Sequence, residues 1–280
     1  MSALVSVAEL SALDPAAVRI LDVRWSLSEP DGHAAYTEGH LPGAVWVDLE
    51  HELSAHGLPH EGRHPVPDLK TLQAAARRWG LDDGATVVAY DDANGLPAAR
   101  AWWLLHRVGV DIRVLDGGLS AWIAAGLPVE RGEVEPTPGT ITLTAPAGGE
   151  LTIDEAAAFP AHGVLIDARA PERYRGEVEP LDPVAGHIPG AVNVPMTALV
   201  DADGTVKTPA ALRAVFAGVG VTEDVPVAVY CGSGVTAAHT ALVLGEIGIR
   251  ADVFAGSWSA WSNTPGRPVA TGPSPGGAGD

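Results

Sequence analysis

The strongest constraint on this chain is an internal repeat. His40-Leu41-Pro42-Gly43-Ala44-Val45 recurs as His187-Ile188-Pro189-Gly190-Ala191-Val192. Upstream, Ile20-Leu21-Asp22-Val23-Arg24 is matched by Leu165-Ile166-Asp167-Ala168-Arg169. Downstream, Val88-Ala89-Tyr90 is matched by Ala228-Val229-Tyr230, and Ser120-Ala121-Trp122 by Ser259-Ala260-Trp261. The spacing between equivalent residues drifts from 147 to 139, so the copies differ by short loop insertions. A repeat of this length is a whole domain, and 280 residues accommodate two such cores.

Within each copy, short apolar runs alternate with helical patterns. In the first, residues 18–23, 44–47, 86–90 and 112–115 read as buried strands, and 67–80, 98–108 and 119–125 as helices. In the second, 164–168, 226–230 and 251–254 read as strands, and 152–159, 209–217 and 237–246 as helices. Strand–helix alternation predicts an α/β fold, each copy a mainly parallel sheet flanked by helices. The expected domains are residues 1–131 and 150–271. A Pro-, Thr- and Gly-rich linker spans 132–149, and a Gly/Pro-rich tail, 272–280, is expected to be disordered.

The repeat also isolates the chemistry. The only cysteine, Cys231, follows the apolar run that ends at Tyr230 and opens Cys231-Gly232-Ser233-Gly234-Val235-Thr236, just before a helical run. Glycines on both sides let the chain turn inward so that successive N–H groups face one point, and the helix adds the positive end of its dipole. A sulfur there is read as a thiolate nucleophile in a nest of donors; a buried structural cysteine needs no such loop. The equivalent stretch of copy one, Asp91-Asp92-Ala93-Asn94-Gly95-Leu96, puts Asp91 opposite Cys231, so copy one is expected to keep the fold without the chemistry.

Other classes fall away. A net charge of −18 argues against nucleic acid or an anionic membrane as partner, and leaves any anionic substrate dependent on local cations. One cysteine forbids an internal disulfide and suits a reducing compartment, read as the cytoplasm. No apolar run reaches a membrane-spanning length, and Met1 to Leu10 lacks a signal peptide's basic region. The histidines at 33, 40, 51, 56, 60 and 64 match no common metal-ligand spacing, so no metal is expected.

Together the Gly39-His40-Leu41-Pro42-Gly43-Ala44, Asp116-Gly117-Gly118-Leu119-Ser120-Ala121-Trp122, Gly186-His187-Ile188-Pro189-Gly190-Ala191 and Cys231-Gly232-Ser233-Gly234-Val235-Thr236 motifs resemble those of the rhodanese superfamily, specifically tandem-domain sulfurtransferases. The resemblance covers nearly the whole chain. It implies two tandem rhodanese-like domains, no organic cofactor, and transfer of a sulfane sulfur from a small anionic donor through a persulfide on Cys231. The implied acceptor is cyanide or a thiol, either a small one or that of a thioredoxin-like protein. The Cys231 loop is similar to that of 3-mercaptopyruvate sulfurtransferases. Animal thiosulfate enzymes carry basic residues at the places of Gly232 and Ser233, which points to 3-mercaptopyruvate as donor. Thiosulfate sulfurtransferase activity, or a sulfur-carrier role, is the alternative.

By the same resemblance Arg173 is the substrate-binding arginine, with Arg175 as helper and the backbone of Gly232, Ser233, Gly234, Val235 and Thr236 cradling the transferred sulfur. Mercaptopyruvate enzymes carry a second substrate arginine after the Glu-Pro of this loop, where the present chain reads Glu179-Pro180-Leu181-Asp182. A proton relay of Ser233, His64 and Glu50 is also implied. Arg169, like Arg24, reads as the structural partner of a carboxylate. A related phosphatase class needs an arginine six positions after its cysteine, and here that position holds Ala237.

Overall fold

The computed structural model describes residues 2–276 and divides into two compact units. The first comprises Met1–Ala55, Val66–Ala147 and Asp201–Val206, and the second His56–Pro65, Gly148–Val200 and Lys207–Asp280. The strands are β1 (Leu4–Val5), β2 (Val18–Asp22), β3 (Val45–Trp46), β4 (Thr86–Tyr90), β5 (Asp111–Leu115), β6 (Val164–Asp167), β7 (Val192–Asn193), β8 (Val227–Tyr230) and β9 (Ala251–Val253).

Unit one is a five-stranded sheet in the order β1-β5-β4-β2-β3, with every pairing parallel. Unit two is a four-stranded parallel sheet in the order β7-β6-β8-β9. Its counterpart of β1 is reduced to one bridge between Glu150 and Val253. The central strands β4 and β8 are buried along nearly their whole length, as a sheet covered on both faces demands. Among the described residues no helix is long and apolar enough to cross a membrane.

The repeated motifs have a physical explanation. At the end of β2, Arg24 holds Asp22 through Nε and Nη2, and at the end of β6 Arg169 holds Asp167 in the same way. Tyr90 and Tyr230 accept the N–H groups of Leu41 and Ile188, fixing each His-x-Pro-Gly turn against the central strand. The turn histidines are structural: His40 stacks on Tyr36 at 4.3 Å and His187 on Tyr174 at 3.8 Å between ring centres.

The domain boundaries differ from those expected. Residues 132–147 do not behave as a loose crossing segment; Gly139, Ile141 and Thr144 bond back to Arg77, Leu81 and Val108 of unit one. Residues 56–65, from the middle of copy one, belong to unit two. Part of the tail expected to be disordered is held: Gly272 donates to Arg175 O, and Pro275 O accepts from Gly190 N. Residues 277–280 of that tail lie outside the described residues.

Candidate active site

The second unit builds its site at the carboxyl end of β8, where a parallel sheet leaves room for a ligand. Cys231 follows the strand, and the chain turns at Gly234, whose φ of +87° a side chain would resist. Gly234 caps the helix Val235–Glu246 and donates its N–H to Cys231 Sγ at 3.1 Å. A backbone donor and a helix start therefore converge on the buried sulfur.

Ser257 holds the cysteine from the other side. Its hydroxyl accepts the Cys231 N–H at 3.1 Å, donates to Phe254 O at 2.9 Å, and lies 4.0 Å from Sγ. It is fully buried at a φ of +54°, a left-handed conformation that costs a residue with a Cβ about 1 kcal/mol or more. Its repeat partner, Gly118, has the same φ and no Cβ; one built there would stand 2.2 Å from Asp91 O. Sequence reading passed over Ser257, although its placement opposite a glycine of the repeat was the available signal.

Segment 56–65 completes the site. After the short 3-10 turn Pro59–Glu61, Gly62 adopts a φ of +93°, and a Cβ there would stand 2.7 Å from Gly256 O. Only glycine permits this close approach, and it carries the next two residues to the Cys231 loop. His64 Nδ1 lies 2.8 Å from Ser233 Oγ, both buried. Ser233 is thus engaged by a histidine rather than capping the helix, whose cap residue Gly234 makes no side-chain bond. Glu50, the third expected member of the relay, belongs to unit one and accepts the Trp25 indole N–H at 2.7 Å.

The arginines separate clearly. Arg169 is buried, bound to Asp167, Glu179 and Gly186 O, and packed over the Trp258 ring at 4.5 Å. Arg173 bonds Glu179 through Nε and Nη2, at 3.2 and 2.6 Å, and reaches Asp182 at 3.4 Å. Its Nη1, which carries none of these bonds, stands 3.5 Å from where a Cβ of Gly232 would be. Arg175, expected to help Arg173, instead pairs with Glu177 at the surface, at 2.7 and 2.8 Å. The reason is helical geometry: Arg173 lies in the turn Pro171–Tyr174, and residues two apart there point to opposite sides.

Two residues absent from the expected set join this cluster. Asp182 has a side chain with no exposure and bonds Arg63 as well as Arg173. Burial pushes its carboxyl up against the pull of Arg63. Arg63 in turn brings Nη2 to 3.2 Å from the Gly232 Cβ position. Gly232 and Ser233 are uncharged, yet two guanidinium groups stand over the loop. Beside them opens a cleft of about 360 Å³ whose walls include His56, Arg63, Leu181, Asp182 and Asn263. Among the described residues no three His, Cys, Asp or Glu side chains are grouped to hold a metal ion.

The first unit shows what the nest does when its occupant is built in. Asp91 is fully buried, and its carboxylate accepts the N–H groups of Ala93, Gly95 and Ala98 at 2.7, 2.9 and 2.9 Å. Burial pushes this carboxyl up to about 6, with the three N–H groups opposing the shift.

Comparison with known proteins agrees with this architecture. Residues 6–125 and 152–264 each match the rhodanese-like domain model. A putative thiosulfate sulfurtransferase of Mycobacterium tuberculosis is 50% identical over 277 residues, covering 96% of this chain and 97% of that one. A probable 3-mercaptopyruvate sulfurtransferase of Pseudomonas aeruginosa is 46% identical over 266 residues, covering 90% and 92%. The crystal structure of a 3-mercaptopyruvate sulfotransferase of Escherichia coli superimposes with a TM-score of 0.82 at 35% identity, over 92% of this chain and 99% of the other. With both halves matched and relatives aligned end to end, the chain belongs to the rhodanese family, as a tandem of two rhodanese-like domains.

Proposed function

We propose that this sulfurtransferase takes sulfane sulfur from 3-mercaptopyruvate onto Cys231 and passes it to a thiol or to cyanide. The observation that carries the reading is the Cys231 sulfur held by the Gly234 N–H at a helix start, with Arg173 over the adjoining Gly232. The Cys231 thiolate attacks the donor sulfur and the carbon–sulfur bond breaks. Its electron pair leaves as pyruvate enolate, and the donor's thiol proton ends on the pyruvate methyl group through Ser233 and His64. Cys231 is left as an anionic persulfide, cradled by the backbone of residues 232–236. An acceptor thiolate then attacks the outer sulfur, leaves carrying it, and restores the Cys231 thiolate.

Arg173 holds the donor carboxylate through a charge-assisted pair of hydrogen bonds. A sole cysteine that must stay reduced between turnovers suits a reducing compartment, read as the cytoplasm. Thiosulfate as main donor is the second reading. It is favoured by the guanidinium groups of Arg63 and Arg173 over the loop, and by the name of the M. tuberculosis relative. Paired steady-state kinetics decide. Higher kcat/KM with 3-mercaptopyruvate supports the first reading, and higher kcat/KM with thiosulfate replaces it with the second. Persulfide formation without turnover of either donor makes the chain a carrier.

A further inference from the structure

We propose that Arg63 is a second anion-holding arginine of the Cys231 site, so that the donor's anionic group sits between Arg63 Nη2 and Arg173 Nη1 above Gly232. This rests on the reading that Cys231 accepts sulfur from a small anionic donor.

Three observations converge on it. First, the two guanidinium ends lie 3.2 and 3.5 Å from the same point, the Cβ position of Gly232, although they come from segments more than a hundred residues apart. Second, each is anchored by its other end. Arg63 Nη1 is bound to Asp182, and Arg173 is bound by Glu179 and Asp182 through Nε and Nη2, so the end of each that stands nearest Gly232 is not used in those pairs. Third, Arg63 Nε is buried with no hydrogen-bond partner among the described residues, leaving this guanidinium with donor capacity that they do not fill.

Asp182 explains how two like charges are held so close. Its buried carboxylate lies between them and offsets their repulsion. The loop after Glu179-Pro180 therefore contributes an acid that aims two arginines, and one of the two comes from the 56–65 segment. Gly232 belongs to the same design, because a side chain at that position would occupy the space into which both guanidinium groups point. Arg63 also lines the open cleft, which gives an anion its way in from solvent.

The test uses alkylation of Cys231 by iodoacetate and by iodoacetamide, reagents that differ by one negative charge, beside steady-state transfer from 3-mercaptopyruvate. Arg63→Gln should lower the iodoacetate-to-iodoacetamide rate ratio about ten-fold. It should also lower kcat/KM for 3-mercaptopyruvate about ten- to hundred-fold, mostly through KM, as expected for one lost charge-assisted bond. A ratio within about two-fold of the parent, in a variant with unchanged melting temperature, overturns the proposal and leaves Arg63 as a structural partner of Asp182. Should Arg63→Gln not fold, Arg63→Lys keeps the charge and loses the planar fork. A ratio lowered about three-fold then supports the proposal, and an unchanged one overturns it. Failure of the functional reading looks different: no donor yields a persulfide on the parent protein, while the alkylation ratio still responds to Arg63.

Discussion

The Asp91 carboxyl in the first unit makes a quantitative prediction. Its folded-state value of about 6 stands above the ordinary 3.8, a difference of about 2 units worth about 1.4 kcal/mol each, or about 3 kcal/mol. The sign follows from linkage: a carboxyl raised on folding contributes stability that is fully present below pH 3.8 and is lost as pH rises through about 6. Asp91→Asn removes the titration while keeping the shape. Its amide meets the Ala98 N–H donor to donor, a cost of about 1–3 kcal/mol that does not vary with pH. The stability difference between variant and parent should therefore move by roughly 2 kcal/mol in the variant's favour between pH 4 and pH 7.5. Asp92, whose carboxyl burial also raises, is present in both proteins, and its repulsion of Asp91 is part of the shift that the substitution removes. Thermal unfolding across that range reads the effect as several degrees in the first unit's transition. A difference that stays flat, or moves the other way, would show that the three N–H groups outweigh burial and refute the reasoning.

Further expectations concern the second unit. Cys231→Ser should abolish transfer while remaining folded, and mass spectrometry of the parent after donor treatment should find one added sulfur on the Cys231 peptide and nowhere else. Arg173→Leu should lower kcat/KM for both donors by about one to two decades, with iodoacetamide still alkylating Cys231; transfer at parental rate would remove Arg173 from the donor site. Ser257→Gly relieves the left-handed strain and loses the hydroxyl, whereas Ser257→Ala loses the hydroxyl and keeps the strain. Both should slow transfer about ten-fold, and only Ala should lower the unfolding free energy by about 1 kcal/mol or more. His64→Asn and Ser233→Ala should cut kcat for 3-mercaptopyruvate about ten-fold or more and largely spare thiosulfate, because an enolate needs a proton and sulfite does not; equal losses with both donors would exclude a proton-transfer role.

Much of the fold was legible because burial repeats. The apolar runs at β2, β4, β5, β6, β8 and β9 are core strands of two parallel sheets, and alternation with helices forces that class. What escaped were elements too short for periodicity to register. The helices His33–Glu38, Leu49–Glu52 and Pro171–Tyr174 span one or two turns, and β1 is two residues long. The Cys231 loop was legible from its glycines and its sole thiol. Arg63 was not, because the segment that carries it is in copy one by sequence and in unit two by packing. Only the close approach of Gly62 to Gly256 reveals why it turns back. Arg175 was included because it stands near Arg173 in sequence, and two residues along a helical turn is the wrong side.

The two copies also differ in a way that bears on the proposed reaction. Both place a strand, a glycine turn and a helix start around one buried atom group. In copy one that group is a carboxylate that fills its own nest with three backbone bonds. In copy two a sulfur takes the Gly234 N–H, and Ser257 replaces Gly118 at the same left-handed backbone position, adding a hydroxyl beside the cysteine. The shared fold thus offers an anion nest in both halves, and on the proposed reading only the second is left to be filled by transferred sulfur. A carboxylate at position 91 cannot be shed, whereas the outer sulfur of a persulfide can. Asp91→Cys alone would restore the thiol without its serine, its histidine or its arginines. In a Cys231→Ser background it should be alkylated by iodoacetamide and carry out no transfer; detectable turnover by that double variant would show that the nest by itself suffices for catalysis.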